Sequence, residues 1–225
     1  MKKVLILFAL VLVAGGAVAL AKPKTITLGR WFTVKWMVGP EEKTAQEIKV
    51  RALIVDNEPK EFTLGEPHEV TDRVFVVQQA HRLNDRVPDD PATKPQWSWR
   101  PGGWLMVQRS SARITKLNLP EYDPYTSSAS WFRDYVAYCG VSDNADKLYA
   151  MVVQIGRKKP LVKKLLGTPK NTDLPHSECE VPAWRKQPSR VTFQVKGGEP
   201  VSFEVRNFAS ELPPDQGVDA ESESQ

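Results

Sequence analysis

The sequence predicts an all-β, mainly antiparallel fold: a β-sandwich or a partly closed barrel of about ten strands joined by meander hairpins. Two stretches carry this prediction. Residues 131–166 hold two β-prone runs around a polar turn and a third short run after a basic turn, which is the pattern of a three-strand meander. Residues 190–206 alternate apolar and polar side chains on both sides of a Gly-Gly pair. Propeller-like blades are the alternative, although no second copy of the meander appears at a fixed period.

The middle run of the meander, residues 148–155, is apolar on both of its faces. A strand with one solvated face alternates apolar and polar side chains, whereas a strand buried on both faces is apolar throughout. We therefore expect this strand at the centre of the protein, with other strands packed around it.

The chain begins with a basic start and an apolar run. Lys2 and Lys3 precede apolar residues 4–21, which end in the small-x-small sequence Ala19-Leu20-Ala21. This arrangement predicts a secretory signal peptide over residues 1–21 and a periplasmic or secreted protein. An uncleaved membrane anchor is the alternative, because an apolar run of this length is near the lower limit for crossing a bilayer. After cleavage we expect no stable membrane span.

The rest of the chain divides into a long body and a short tail. Residues 22–208 suffice for a single β-rich domain with a full core. Residues 209–225 hold five acidic side chains and no basic side chain or aromatic ring, which predicts an acidic disordered tail. The body has 29 basic and 22 acidic residues, an excess of seven positive charges that suits anionic partners. The acidic tail is expected to compete for the same surface.

Several alternating runs in the first half predict strands. Residues 25–38 form one or two of them, residues 46–55 form the next, and a short strand over 61–64 is ended by Gly65-Glu66-Pro67. Another strand covers residues 74–81. The Pro-rich residues 84–96 predict an exposed loop.

The second half continues with hairpins. Residues 104–109 and 112–119 predict one around Ser110-Ser111, whereas residues 167–188 predict irregular structure. In the last hairpin, matching apolar side chains across the pair places Phe193 opposite Phe203 and Val195 opposite Val201. This register requires a five-residue loop over residues 196–200.

The two cysteines, Cys139 and Cys179, predict a disulfide, because an exported chain with an even number of cysteines commonly pairs them. In the loop-entropy model a bridge across this separation stabilises the fold by about 4 kcal/mol. Two separately buried thiols are the alternative.

Motifs for catalysis, metals or cofactors are not found in the sequence. There is no G-x-S-x-G nucleophile motif, no H-E-x-x-H or C-x-x-C metal motif, and no glycine-rich phosphate loop followed by a helix. His68, His81 and His176 are far apart in sequence, and His176 near Cys179 is most simply a loop residue. Paired carboxylates drawn from Glu121, Asp123 and Asp134 leave a wall or polysaccharide hydrolase as an alternative function. We predict no catalytic residue, metal or cofactor.

Tryptophans cluster in one stretch of the chain. Trp97, Trp99 and Trp104 surround Arg100 and Pro101-Gly102-Gly103. Flat aromatic faces bury a large area and are common at interfaces, so these side chains are candidates for ligand binding by stacking on sugars. The alternative is that the rings seal one end of the sandwich.

Basic residues cluster around the turn that follows the central strand. They are Arg157, Lys158, Lys159, Lys163 and Lys164. A projecting basic turn is able to bind phosphate or anionic lipid. The alternative is a solvated turn whose lysines protect an edge strand. Export argues against cellular nucleic acid as the partner, and we predict that the protein binds none.

These features predict an exported β-rich protein that is not catalytic and that binds an envelope or extracellular partner or polymer. The hydrolase is the alternative.

Overall fold

The computed structural model describes residues 24–36, 46–84, 97–169, 177–187, 189–206 and 212. These residues form fourteen antiparallel β-strands in three sheets, and none of them lies in a helix. The all-β prediction is confirmed. The predicted signal peptide, the Pro-rich residues 85–96, His176 and the acidic tail apart from Leu212 lie outside the described residues.

The first sheet has seven strands and contains the N-terminal half of the described chain. Its strands are β1 (Ile26–Leu28), β2 (Phe32–Trp36), β3 (Gln46–Val55), β4 (Glu58–Thr71), β5 (Val74–Asn84), β6 (Trp97–Gln108) and β7 (Arg113–Lys116). The order is β1-β3-β4-β5-β6-β7, and β2 pairs with the other end of β3. The sheet curls, so that Phe32 of β2 lies edge-on against Trp99 of β6 with ring centroids 5.7 Å apart.

A predicted interruption of this sheet is a bulge instead. Gly65 adopts a left-handed backbone conformation with φ of 63°, and pairing with β5 shifts between Leu64 and His68. The Gly65-Glu66-Pro67 sequence therefore bends β4 without ending it, because β5 is long enough for pairing to resume. A second shift in the β5–β6 pairing lies between Gln78 and Ala80, opposite Gly102-Gly103, and β6 continues through it.

Both faces of the first sheet bury apolar side chains. One cluster joins Leu53 of β3 to strands β5 and β6. A second cluster, on the other face, packs Val50, Ala80 and Trp99 with Trp36 of β2. Large residues at the alternating positions of long strands account for both clusters.

The second sheet is the central meander, and it has four strands where the sequence predicted three. They are β8 (Ser130–Phe132), β9 (Tyr135–Val141), β10 (Leu148–Gln154) and β11 (Val162–Gly167), in the order β11-β10-β9-β8. The run that looked continuous reverses at Arg133-Asp134, because Phe132 pairs directly with Tyr135. Arg133 takes the positive φ of 54° that this two-residue turn requires. The prediction that β10 is buried on both faces is confirmed.

The third sheet consists of β12 (Ala183–Arg185), β13 (Arg190–Phe193) and β14 (Val201–Glu204). Strand β12 was not predicted. The predicted register of the last hairpin was wrong, since Phe193 pairs with Val201 and Val191 with Phe203. The Val195 carbonyl accepts the Gly198 N–H at 2.8 Å in a turn and does not pair with β14, which leaves a longer connection between the strands.

The third sheet packs on one face of the second and makes the sandwich. Their shared core includes Tyr135, Ala150, Val191 and Phe193, and the Trp184 indole N–H donates to the Ser130 carbonyl at 3.0 Å. The opposite face of the second sheet is covered by Leu119, Tyr122 and Ala129 of the segment before β8, together with Trp131 of β8. The arrangement is a sandwich and not a set of propeller-like blades.

The first and second sheets meet in a separate apolar cluster. Val76 and Met106 of the first sheet pack near Ile155 and Trp131, together with Leu212 from the C-terminal part of the chain. The His68 ring stacks on Trp131 with centroids 5.8 Å apart, and its Nε2 hydrogen-bonds the Arg133 carbonyl at 2.8 Å. These contacts fix the position of the meander against the first sheet.

Candidate functional site

The three tryptophans of the predicted ligand site have different environments. Trp97 is 48% exposed, whereas Trp99 is 7% exposed and belongs to the core of the first sheet. Trp104 is half-buried, and its indole N–H donates to the Tyr122 hydroxyl at 3.0 Å. Burial raises the pKa of the Tyr122 hydroxyl to about 12. Trp104 therefore holds the loop before β8, and Trp97 is the member of the group that is accessible to a ligand.

Arg100 does not join the tryptophans. It is exposed and pairs in register with His81. Consecutive side chains of a strand point to opposite faces, so Arg100 lies on the face opposite Trp99.

Trp97 is part of an accessible patch, which we call the aromatic surface and define as Phe32, Arg82, Trp97 and Trp99. The guanidinium carbon of Arg82 lies 3.9 Å from the centroid of the Trp97 ring and 6.0 Å from that of Trp99. Phe32, 40% exposed, packs edge-on against Trp99. Trp99 thus forms the buried base of the patch, and Phe32 and Trp97 are its exposed rings.

Sequence reasoning missed Phe32 and Arg82. They lie on β2 and β5, and they reach Trp97 and Trp99 because the sheet curls and because Arg82 pairs with Trp99 in register. The alternation of β5 shows from sequence that Arg82 shares a face with Ala80. No local sequence pattern shows that β2 approaches β6.

The five predicted basic residues separate into two groups. Arg157, Lys158 and Lys159 lie in the turn between β10 and β11, and Lys158 and Lys159 are exposed. Lys163 and Lys164 lie on β11, where adjacent residues point to opposite faces.

Lys163 is engaged within the protein. Its ammonium group hydrogen-bonds the Glu121 carboxylate, which raises the pKa of Lys163, and it lies 4.7 Å from the centroid of the Tyr149 ring. The five bases therefore do not form one continuous patch.

The basic turn borders a cleft of about 280 Å³, which we call the basic cleft. Its apolar lining includes Leu117, Leu119 and Ile155, and Arg157 and Lys158 lie at its rim. No Asp or Glu is among its described lining residues, so its charge is basic. A shallower depression over residues 156–161 adjoins it and shares Arg157 and Lys158.

The carboxylates considered for hydrolysis each hold a structural contact. Glu121 binds Lys163, the Asp123 carboxylate accepts the Tyr125 amide N–H at 2.7 Å, and the buried Asp134 accepts the Gln154 amide at 2.9 Å. None of the three lines the basic cleft.

The disulfide prediction is confirmed. Cys139 of β9 and Cys179 are bonded, with their Cα atoms 6.3 Å apart and both side chains buried. Such bonds persist in oxidising compartments. Within the described part of the chain, no group of three or more His, Cys, Asp or Glu side chains is arranged to hold a metal ion. The same residues contain no helix that is long and apolar enough to cross a membrane.

Comparisons of the whole chain with protein-family models, with curated proteins and with solved structures find no match.

Proposed function

We propose that this chain is an exported, non-catalytic protein that binds an envelope or extracellular polymer, and that a polysaccharide is the polymer its aromatic surface accepts. The observation that carries the proposal is the exposed Trp97 ring, which is held against Arg82 and lies beside the buried Trp99. The basic start, the apolar run of residues 4–21 and the buried disulfide support export.

The chemistry of the aromatic surface suits a sugar chain. A pyranose ring has an apolar face of C–H groups and a rim of hydroxyls, so it stacks on an indole while its hydroxyls accept hydrogen bonds from a guanidinium. Phe32 offers a second ring on the same patch. Rings already held in place lose little entropy on binding, which favours affinity for a repeating polymer.

The test is binding of the mature protein to insoluble polysaccharides, including peptidoglycan, at low and high salt. We expect binding that survives high salt, because stacking is screened much less than charge pairing. Trp97→Ala should weaken binding at least about tenfold, a loss of about 1.4 kcal/mol, with little change in the melting temperature.

The matched control is Leu165→Ala, which removes a 54% exposed apolar side chain from β11 in another sheet. It should bind like the unmodified protein. Trp99→Ala is unsuitable as a test, because removing a buried tryptophan costs about 3 to 5 kcal/mol of stability. Failure to bind any polysaccharide, or equal binding by Trp97→Ala, would overturn the proposal.

A further inference from the structure

A C-terminal residue reaches the neighbourhood of the basic cleft. Leu212 packs against the cluster that joins the first and second sheets, and Ile155 and Leu117 belong to the same cluster. Both of these residues also line the basic cleft. Leu212 therefore packs against a cluster that contributes residues to the cleft lining, and residues 213–225 follow it in the chain.

The thirteen residues after Leu212 have the opposite charge to the cleft. They carry Asp215, Asp219, Glu221 and Glu223, with no Lys or Arg. The rim of the cleft supplies Arg157 and Lys158, and its described lining contains no carboxylate. Lys158 is exposed and forms no ion pair with another described residue.

The chain after Leu212 is long enough for its acidic residues to reach the basic residues of the cleft. Arg157 is two residues beyond Ile155, so about 7 Å of extended chain separates them, and Asp215 lies three residues beyond Leu212, or about 10 Å. Since Leu212 and Ile155 belong to one cluster, a segment of thirteen residues that starts after Leu212 is long enough to bring its carboxylates to Arg157 and Lys158.

We infer that the acidic segment 213–225 of this chain occupies the basic cleft, anchored by Leu212, and excludes other anionic ligands from it. Tethering gives a flexible segment an effective concentration in the millimolar range. Weak, screened ion pairs are therefore sufficient for occupancy in the intact chain, although they bind a separate peptide only weakly. The aromatic surface lies on other strands, so this inference stands independently of the proposed function.

The experiment compares the intact chain with a form that ends at Leu212. The probe is a fluorescent peptide of residues 213–225, followed by anisotropy at low and high salt. We expect the shortened protein to bind the peptide at least about threefold more tightly than the intact chain does, and we expect high salt to abolish the binding. Equal affinities, or no binding by the shortened protein, would overturn the inference.

A second variant keeps the full length, in case shortening disturbs the fold. Replacing Asp215 and Asp219 with Asn and Glu221 and Glu223 with Gln should expose the cleft to the peptide as the shortening does. If this variant binds no better than the intact chain, charge does not hold the segment and the inference is wrong.

The site is located by a charge-matched pair of variants of the shortened protein. Arg157→Gln with Lys158→Gln should lower peptide affinity at least about fivefold. Lys49→Gln with Lys164→Gln removes the same charge from β3 and β11 and should leave the affinity within about twofold. Similar losses in both pairs would show a diffuse charge effect and contradict the assignment. Oligomers of the intact chain that disappear on shortening would place the segment in a second copy and overturn the intramolecular arrangement.

Discussion

Individual side chains of one motif end in different environments, as Trp97 and Trp99 show. They lie two residues apart on the same face of β6, yet Trp97 is 48% exposed and Trp99 is 7% exposed. Strand alternation predicts which residues share a face, but it does not predict where other strands cover that face. Trp99 is covered by Phe32 and Phe62, which come from β2 and β4. The sequence left two alternatives for the tryptophan cluster, core packing and ligand binding. Trp99 fits the first, and Trp97 is exposed as the second requires.

The close packing around Gly140 gives a prediction at this scale. A Cβ atom at Gly140 of β9 would lie 2.8 Å from the Glu121 carbonyl oxygen and 3.2 Å from Met151 Cγ. The backbone cannot easily move away, because the Val141 N–H donates to that same carbonyl at 2.9 Å. We expect Gly140→Ala to lower the free energy of unfolding by about 1 to 3 kcal/mol, as measured by urea denaturation.

Gly103→Ala is the matched control for this substitution. A Cβ at Gly103 has no atom within 4 Å, so the free energy of unfolding should change by less than about 0.5 kcal/mol. Equal denaturation midpoints for the two variants would show that the contact at Gly140 relaxes at no cost.

Strands were predicted more reliably than the breaks between them. Strand β3 has the predicted bounds, because its alternation is uninterrupted. The Gly-Glu-Pro sequence in β4 has the composition of a strand end, but the length of β5 decides that pairing continues past it. The register of β13 with β14 differs from the one that matching of apolar residues predicted, and Val195 bridges the distant Cys179 instead of facing Val201. Such decisions depend on partners that are remote in sequence, which local patterns cannot identify.

An ion pair near the β4–β5 turn allows a prediction about pH at the scale of elements. The Arg109 guanidinium donates to both Glu69 oxygens, at 2.7 and 2.8 Å, and these hydrogen bonds lower the pKa of Glu69. Because the pair is partly exposed, Glu69→Gln should cost no more than about 1 kcal/mol at pH 7.

The sign of the pH dependence follows from the lowered pKa. The stabilisation is present above the unfolded pKa of about 4.3 and is lost as pH falls through the folded value. Unfolding free energies of Glu69→Gln and the unmodified protein should therefore converge below about pH 4. Glu47→Gln, which removes an exposed carboxylate from β3, serves as the control. A difference that stays constant from pH 7 to pH 3 would contradict this account.

At the scale of the whole molecule, the class of fold followed from the sequence, whereas the assembly of its sheets did not. The meander and the disulfide were recognisable because one depends on local pattern and the other on cysteine count. The packing of Ile155 against Val76 joins two sheets through side chains that are far apart in sequence. Neither residue differs in kind from other core residues, so no sequence pattern distinguishes that contact.

The disulfide gives the prediction at this scale. It closes a loop with a sequence separation of 40. Replacing both Cys139 and Cys179 with Ala should lower the free energy of unfolding by about 4 kcal/mol, as measured by denaturation without reductant. A reductant should destabilise the unmodified protein and have no effect on the double variant. Two reactive thiols in the unfolded, unreduced protein would show that the bond is not formed.

The contiguity of the sheets has a consequence for how the chain matures. Each sheet is completed within one uninterrupted stretch, over residues 26–116, 130–167 and 183–204. A polypeptide synthesised from its N-terminus therefore contains all the strands of one sheet before those of the next are made. Cys139 remains a thiol until Cys179 has been synthesised. Since this chain has two cysteines, a single intramolecular pairing exists. Formation of this disulfide needs an oxidant but no isomerisation from non-native pairings within the chain.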